Sequence, residues 1–258
     1  MPLKTVVAAF AVYALFAGGI SWAADDLESR TDNIDAQALE EPLARKGWQR
    51  LGFDDVPPTD FSLVEESIRI QASASNALIY RPLTEVESNA QFMTWSWRVD
   101  SLPPSKPLTK VDDDDRAIAL YVIFEIDPRK LSWWGRIRSS VVARFSGLPR
   151  GQILTYVWGN QDAIGDWFPN PYIRGTGRVK VLRNSSQALG LWQDERIDMR
   201  ADFMAAFGYE PIKPIYTALS ADTEDSGAQS VSWIRNLRFV ADKNGAEDSL
   251  EREGARSD

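Results

Sequence analysis

The sequence predicts an all-β protein, an antiparallel β-sandwich of jelly-roll type with two short helices. Three observations lead there. Short runs alternate apolar and polar residues with period two, as strands with one buried face do. Turn-forming residues separate the runs at Pro57-Pro58, Pro103-Pro104, Pro169-Asn170-Pro171, Gly175-Thr176-Gly177 and Ser226-Gly227. Seven or more such runs in one chain suit a two-sheet sandwich.

Phe61 to Ala72 reads as two strands around a Glu65-Glu66 turn, and Phe92 to Val99 alternates Phe92, Thr94, Ser96 and Arg98 with Met93, Trp95, Trp97 and Val99. Ile118 to Phe124 is almost continuously apolar, as a strand covered on both faces would be. Ile153–Trp158, Arg178–Leu182, Ile215–Leu219 and Val231–Val240 complete the strand set. Two stretches follow helical spacing instead: Leu131 to Phe145, with Trp134, Ile137, Val141 and Phe145 as its stripe, and Ile197 to Phe207, ended by Gly208.

The chain has 258 residues, and β-sandwiches of this size commonly form one domain. Residues 1–23 read as a secretory signal, with Lys4, an uncharged apolar run from Val6 to Ile20, and Ser21-Trp22-Ala23 before the cut. That predicts a periplasmic or secreted protein. Residues 24–46 are acidic and lack a sustained apolar stripe, which predicts a mobile leader; 47–240 form the sandwich; 241–258 read as a disordered charged tail.

Composition excludes much chemistry. Cysteine and histidine are both absent, so no disulfide, no Cys/His zinc site and no Ser-His-Asp or Cys-His nucleophile system is available. Catalysis would run on carboxylates, Lys, Arg, Tyr or Ser. The formal charge of −8 disfavours nucleic acid as a partner. No oligomeric state is read from the sequence.

Several segments, in order, resemble the bacterial envelope proteins grouped as domain-of-unknown-function family 3047. They are Gly47-Trp48, Thr59-x-Phe61, Gln71 to Leu78, Trp95-Ser96-Trp97-Arg98-Val99, the acidic run before Arg116, Tyr156-Val157-Trp158-Gly159, Asp202-x4-Phe207-Gly208 and Asp222-Thr223-Glu224-Asp225. Where the family usually alternates Asp and Thr in the last loop, this chain has Glu224 and Asp225. The resemblance implies a secreted sandwich similar to carbohydrate-binding modules, and it implies no catalytic residue.

Four constellations are candidates for function. Trp95 and Trp97 share one strand face: turned inward they are core aromatics, the favoured reading, and turned outward they could stack against sugar rings. Trp158, Trp167, Phe168 and Tyr172 form a second aromatic group. Trp167 and Phe168 sit beside Pro169 in a loop and form the expected binding rim. Asp112, Asp113 and Asp115 in one acidic loop, and Asp222 and Asp225 in another, are calcium-ligand candidates. Each competes with its reading as a solvated sheet margin.

Glu125 and Asp127 would lie on one face of a strand end, ~6.5–7 Å apart, against the ~5–5.5 Å that a retaining glycosidase pair needs. Residues 128–161 contain no Asp or Glu but carry Arg129, Lys130, Arg136, Arg138, Arg144 and Arg150. On a helix Arg136 and Arg144 are ~80° apart, the closest pair. The segment reads first as a helix that caps one end of the sandwich, with its arginines solvated or paired to the acidic loops, and in its functional reading meets an acidic glycan or a membrane surface. The function expected from these features is non-catalytic binding of an envelope or extracellular glycan. A carboxylate-based hydrolase, a Tyr/Lys/Arg-based lyase, and a structural partner of another envelope protein are the alternatives.

Overall fold

The structure, a computed structural model, describes residues 39–53, 56–104, 107–109, 114–127, 129–130 and 151–241. The signal, most of the leader, the Leu131–Phe145 helix with Arg136 and Arg144, Asp112, Asp113 and the tail lie outside these residues.

Among the described residues twelve strands form two sheets. In chain order they are β1 (Gln49–Gly52), β2 (Asp60–Val64), β3 (Ser67–Ser73), β4 (Asn76–Pro82), β5 (Phe92–Ser101), β6 (Arg116–Phe124), β7 (Gln152–Trp158), β8 (Trp167–Pro169), β9 (Gly177–Arg183), β10 (Gln193–Asp198), β11 (Pro214–Asp222) and β12 (Gln229–Val240). The larger sheet has the order β1-β4-β11-β6-β7-β9-β8 and the smaller β10-β5-β12-β3-β2. Pairing is antiparallel except between β7 and β9. The predicted sandwich is therefore present, in two layers of seven and five strands.

Period two explains the layering. Met93, Trp95, Trp97 and Val99 of β5 point inward and are buried, while Thr94, Arg98 and Asp100 point out. They meet Ile118, Leu120, Val122, Leu154, Tyr156 and Trp158 from the facing sheet in one core cluster. β6 is apolar on both faces because Ala119 and Tyr121 also pack outward, against Leu108, Val157 and Val179.

Every strand expected from periodicity is present. β1, β4, β8 and β10 had no such signal, and three of them, β1, β8 and β10, are edge strands. An edge strand is short or polar because one side faces solvent, so Gln193-Asp194-Glu195-Arg196 hides β10 from a hydrophobicity reading.

Among the described residues there are three short helices: α1 (Glu41–Arg45), α2 (Glu85–Ser88) and α3 (Met199–Phe207). The helix expected from Ile197 begins two residues later, because Ile197 and Asp198 end β10. The Asp198 carboxylate caps it by accepting from the Ala201 N–H at 2.9 Å. Gly208 ends it at φ 81°, donating to the Met204 carbonyl, a left-handed position that glycine adopts without Cβ strain. α1 falls inside the segment expected to be a mobile leader. Its Leu43 is fully buried in the main core, so the ordered domain starts earlier than residue 47.

Candidate functional site

The aromatic candidates divide by sheet face. Trp95, Trp97 and Trp158 are 2%, 0% and 0% exposed and cannot stack on a ligand. They are core: Trp95 meets Trp97 edge-on at 5.5 Å, and Trp97 meets Trp158 at 5.7 Å. The Trp97 indole donates to Glu195 Oε1 at 3.0 Å, and Arg183 Nε donates to the same oxygen at 2.6 Å.

Trp167 and Phe168 are half-buried on β8 rather than in a loop. Trp167 packs on Tyr156 and lies beneath Lys180, and Phe168 packs on the Val157, Val179 and Val181 cluster. Tyr172 is exposed, and its hydroxyl donates to Asp114 Oδ1 at 2.6 Å.

The acidic candidates gather at one end of the large sheet's outer face. Asn76 of β4, Asp222 of β11 and Arg116 of β6 stand in one row of cross-strand partners. Asn76 donates to Asp222 Oδ2 at 2.7 Å, and Arg116 donates to Asp114 Oδ2 at 2.7 Å while lying 3.8 Å from Asp222. Arg116 also donates to the Tyr121 hydroxyl at 3.2 Å, which is 2.8 Å from Ser220 Oγ.

Burial pushes the Asp222 carboxyl well above the usual carboxylate range, and the Asp114, Glu224 and Asp115 charges add to that against Arg116. One guanidinium serves two carboxylates here, and Asp114 holds it more closely. Burial likewise raises Glu224, with Asn76 opposing.

Asp115 accepts from the Ser226 N–H at 2.9 Å, from the Ser226 hydroxyl and from the Asp225 N–H. It is a buried staple for the Asp222–Gly227 loop rather than a solvated margin. Among the described residues no group of three or more carboxylates is placed to hold a metal ion. The cavity bordered by Asp114, Arg116, Tyr121 and Asn170 measures ≈ 20 Å³, room for a water molecule and not for a sugar ring.

Glu125 and Asp127 fall beyond the end of β6 at Phe124, so they do not share a strand face. Both Asp127 oxygens are taken by Arg129, whose Nε and backbone N–H donate to Oδ1 and whose Nη2 donates to Oδ2. These hydrogen bonds hold Asp127 below the ordinary carboxylate range. Glu125 is exposed. The pair lacks the arrangement of an acid and a nucleophile.

The residues that sequence reasoning missed lie on the outer face of the five-stranded sheet. Trp233 of β12 is opposite Arg69 of β3 on one side and Arg98 of β5 on the other. Arg69 and Arg98 lie 5.7 and 4.9 Å from the Trp233 ring centroid. Arg98 is also 5.2 Å from Trp192, just before β10, and Arg235 lies 4.1 Å from that same ring. The result is an alternating row, Arg69–Trp233–Arg98–Trp192, running from β3 across β12 and β5 to the start of β10, with Arg235 of β12 folded diagonally over its Trp192 end.

Asp100 anchors its middle by accepting from the Trp233 indole at 2.7 Å and pairing with Arg98 at 2.8 Å. All five side chains are neither buried nor fully exposed. The signal was present as alternation in Ser232-Trp233-Ile234-Arg235: Ser232 and Ile234 are the buried parity, which leaves Trp233 and Arg235 outward.

Solved structures similar to the chain include the xyloglucanase domain of NopAA, a type three effector from Sinorhizobium fredii, at 11% identity and TM-score 0.38, covering 77% of this chain and 95% of that one. The family 11 xylanase from Neocallimastix patriciarum is similar at 12% identity and TM-score 0.39, covering 76% and 92%. The family 11 carbohydrate-binding module of the cellulase Lic26A-Cel5E from Clostridium thermocellum is similar at 7% identity and TM-score 0.35, covering 76% and 88%. No curated protein matches the sequence. The family described as "Protein of unknown function (DUF3047)" matches residues 46–238, three quarters of the chain, and the protein belongs to that family.

Proposed function

We propose that this protein is exported and binds an envelope or extracellular glycan without turning it over. The observation that carries the reading is the pair Trp192 and Trp233, partly exposed on the outer face of the five-stranded sheet with Arg98 between them. Indole rings held on a sheet by strand register offer a sugar chain a rigid, pre-ordered surface, and Thr94 and Asp194 on the same face supply polar partners. The non-catalytic part rests on the carboxylates: Asp127 is held by Arg129, and Asp222 is enclosed between Asn76 and Arg116. Export rests on residues 1–23 and their signal pattern.

The test is retention of the full chain on a panel of insoluble and immobilised cell-wall and capsular polysaccharides, with reducing-end and unsaturated-sugar assays on the same samples. Retention that Trp192→Ala/Trp233→Ala abolishes, without product release, is the expected result. Product release overturns the non-catalytic reading, and retention by no polysaccharide overturns the glycan reading. Fractionation that leaves the uncleaved chain in the cytosol overturns export.

A further inference from the structure

The glycan-binding reading leaves open which class of sugar is bound, and the charge of the Trp/Arg row narrows it; the inference rests on that reading. We propose that the outer face of the five-stranded sheet recognises an acidic polysaccharide, a chain of uronate sugars, through the guanidinium groups of Arg69 and Arg235.

Each indole of the row already has two guanidinium groups close to its ring, Arg69 and Arg98 at Trp233, Arg98 and Arg235 at Trp192. That reduces the ring area left for a neutral pyranose. A guanidinium stacked on a ring keeps its N–H donors in its own plane, where they suit a carboxylate bidentately. The three arginines are not equivalent. Arg98 is neutralised by Asp100 at 2.8 Å. Arg69 and Arg235 have no carboxylate partner among the described residues; Arg235 Nε is buried without a hydrogen bond, so its Nη groups are the donors that a carboxylate would meet. Two guanidinium groups with no carboxylate partner among the described residues, held against indole rings, stand on one face of a chain whose net charge is −8.

Spacing favours a polymer over a single anion. Arg69 on β3 is one interstrand step from Trp233, and Arg235 stands two residues further along β12, opposite Ser96 of β5, so the two arginines leave the sheet ~8 Å apart, with Arg235 leaning over the Trp192 ring. An extended chain with a carboxylate on successive sugars can meet such a row at several points. A lipid surface fits less well: electrostatic membrane binding uses clusters of 4–8 Lys/Arg, whereas here Asp100 and Asp194 are interspersed and Ser96 donates to Asp194 at 2.6 Å.

The experiment is equilibrium binding of the full chain to polygalacturonate, to a neutral β-glucan and to phosphatidylglycerol vesicles, at low and at physiological salt. Polygalacturonate is expected to bind, with affinity falling as salt rises. Arg69→Gln/Arg235→Gln is expected to weaken it at least tenfold and flatten the salt slope with an unchanged melting temperature. Arg69→Lys/Arg235→Lys, which keeps the charge and loses the planar fork, is expected to recover only part of the affinity.

Unchanged binding by the glutamine variant, full recovery by the lysine variant, or equal wild-type binding to the neutral glucan overturns the proposal. So does binding to vesicles with none to polygalacturonate, which assigns the face to lipid headgroups. Binding to the neutral glucan alone removes the acidic class and leaves the glycan reading standing; refusal of every polysaccharide removes both.

Discussion

Trp233 and Arg98 face one another across β12 and β5, with the guanidinium carbon 4.9 Å from the indole centroid, and Asp100 bonds to both. One residue earlier on β5, Trp97 points the opposite way and is fully buried. Two tryptophans of adjoining strands thus have unrelated roles, and a single step of the pleat decides which.

Trp97 and Trp233 should therefore respond differently to truncation. Trp97→Ala removes a core ring that packs on Trp95 and Trp158 and leaves Glu195 without its indole donor, so a loss of about 3–5 kcal/mol is expected. Trp233→Ala removes a partly exposed ring with two guanidinium contacts and is expected to cost about 1 kcal/mol while abolishing glycan retention. Urea unfolding of both variants, paired with polysaccharide retention, checks the contrast.

Asp222 is expected to make the fold less stable as pH rises. Burial lifts its folded pKa above the unfolded value, so between those values the folded state holds a proton that the unfolded state has released. Stability from this group is fully present below about pH 4 and is lost on going up through the elevated folded pKa. Asp222→Asn, which still accepts from Asn76, removes that loss. The variant should gain on wild type with increasing pH in denaturant titrations; a constant difference would contradict the raised carboxyl.

Glu87 should behave in the opposite sense. Burial raises its pKa, but hydrogen bonds from Arg81 and Thr84 outweigh that and leave it lowered. It caps α2 through the Thr84 N–H and pairs with Arg81 at 2.7 Å. Its contribution is present above the ordinary glutamate pKa and is lost as pH falls through the depressed folded value. Glu87→Gln should be less stable than wild type near neutrality, with the gap closing in acid, as read by thermal melts across pH.

Asp202 holds two groups at the junction of α3 with β7 and β9. The buried Tyr156 hydroxyl donates to its Oδ2 at 3.0 Å and Lys180 donates to its Oδ1 at 3.0 Å. Burial, then the Asp202 charge, pushes the Tyr156 phenol well above its ordinary value. Asp202→Ala strands that hydroxyl without an acceptor, and a loss of about 1–3 kcal/mol is expected. Adding Tyr156→Phe to Asp202→Ala should restore part of it, and a double-mutant cycle measures the coupling. A purely additive cycle would show that the bond carries no weight.

Residue order alone carries the two-layer β architecture. Alternation marks β2, β3 and β5, a continuous apolar run marks β6, and Gly208 with its preceding apolar turn marks the end of α3. These signals are local, because side chains on a strand alternate faces whatever the strand pairs with. The cross-strand row at Trp233 is not local. Arg69, Trp192 and Arg235 are separated by more than a hundred residues at the widest, and only the order β10-β5-β12-β3 brings them together.

The same limit applies to the choice of inward or outward face. Trp95, Trp97 and Trp158 have the composition of a sugar platform, yet the facing sheet covers them, so burial of ring area in the core outweighs any surface role. Asp115 and Asp222 have the composition of an ion site, yet the approach of β4, β6 and the Asp222–Gly227 loop supplies them with protein donors instead. Period two says which residues share a face; only the second sheet says which face is covered.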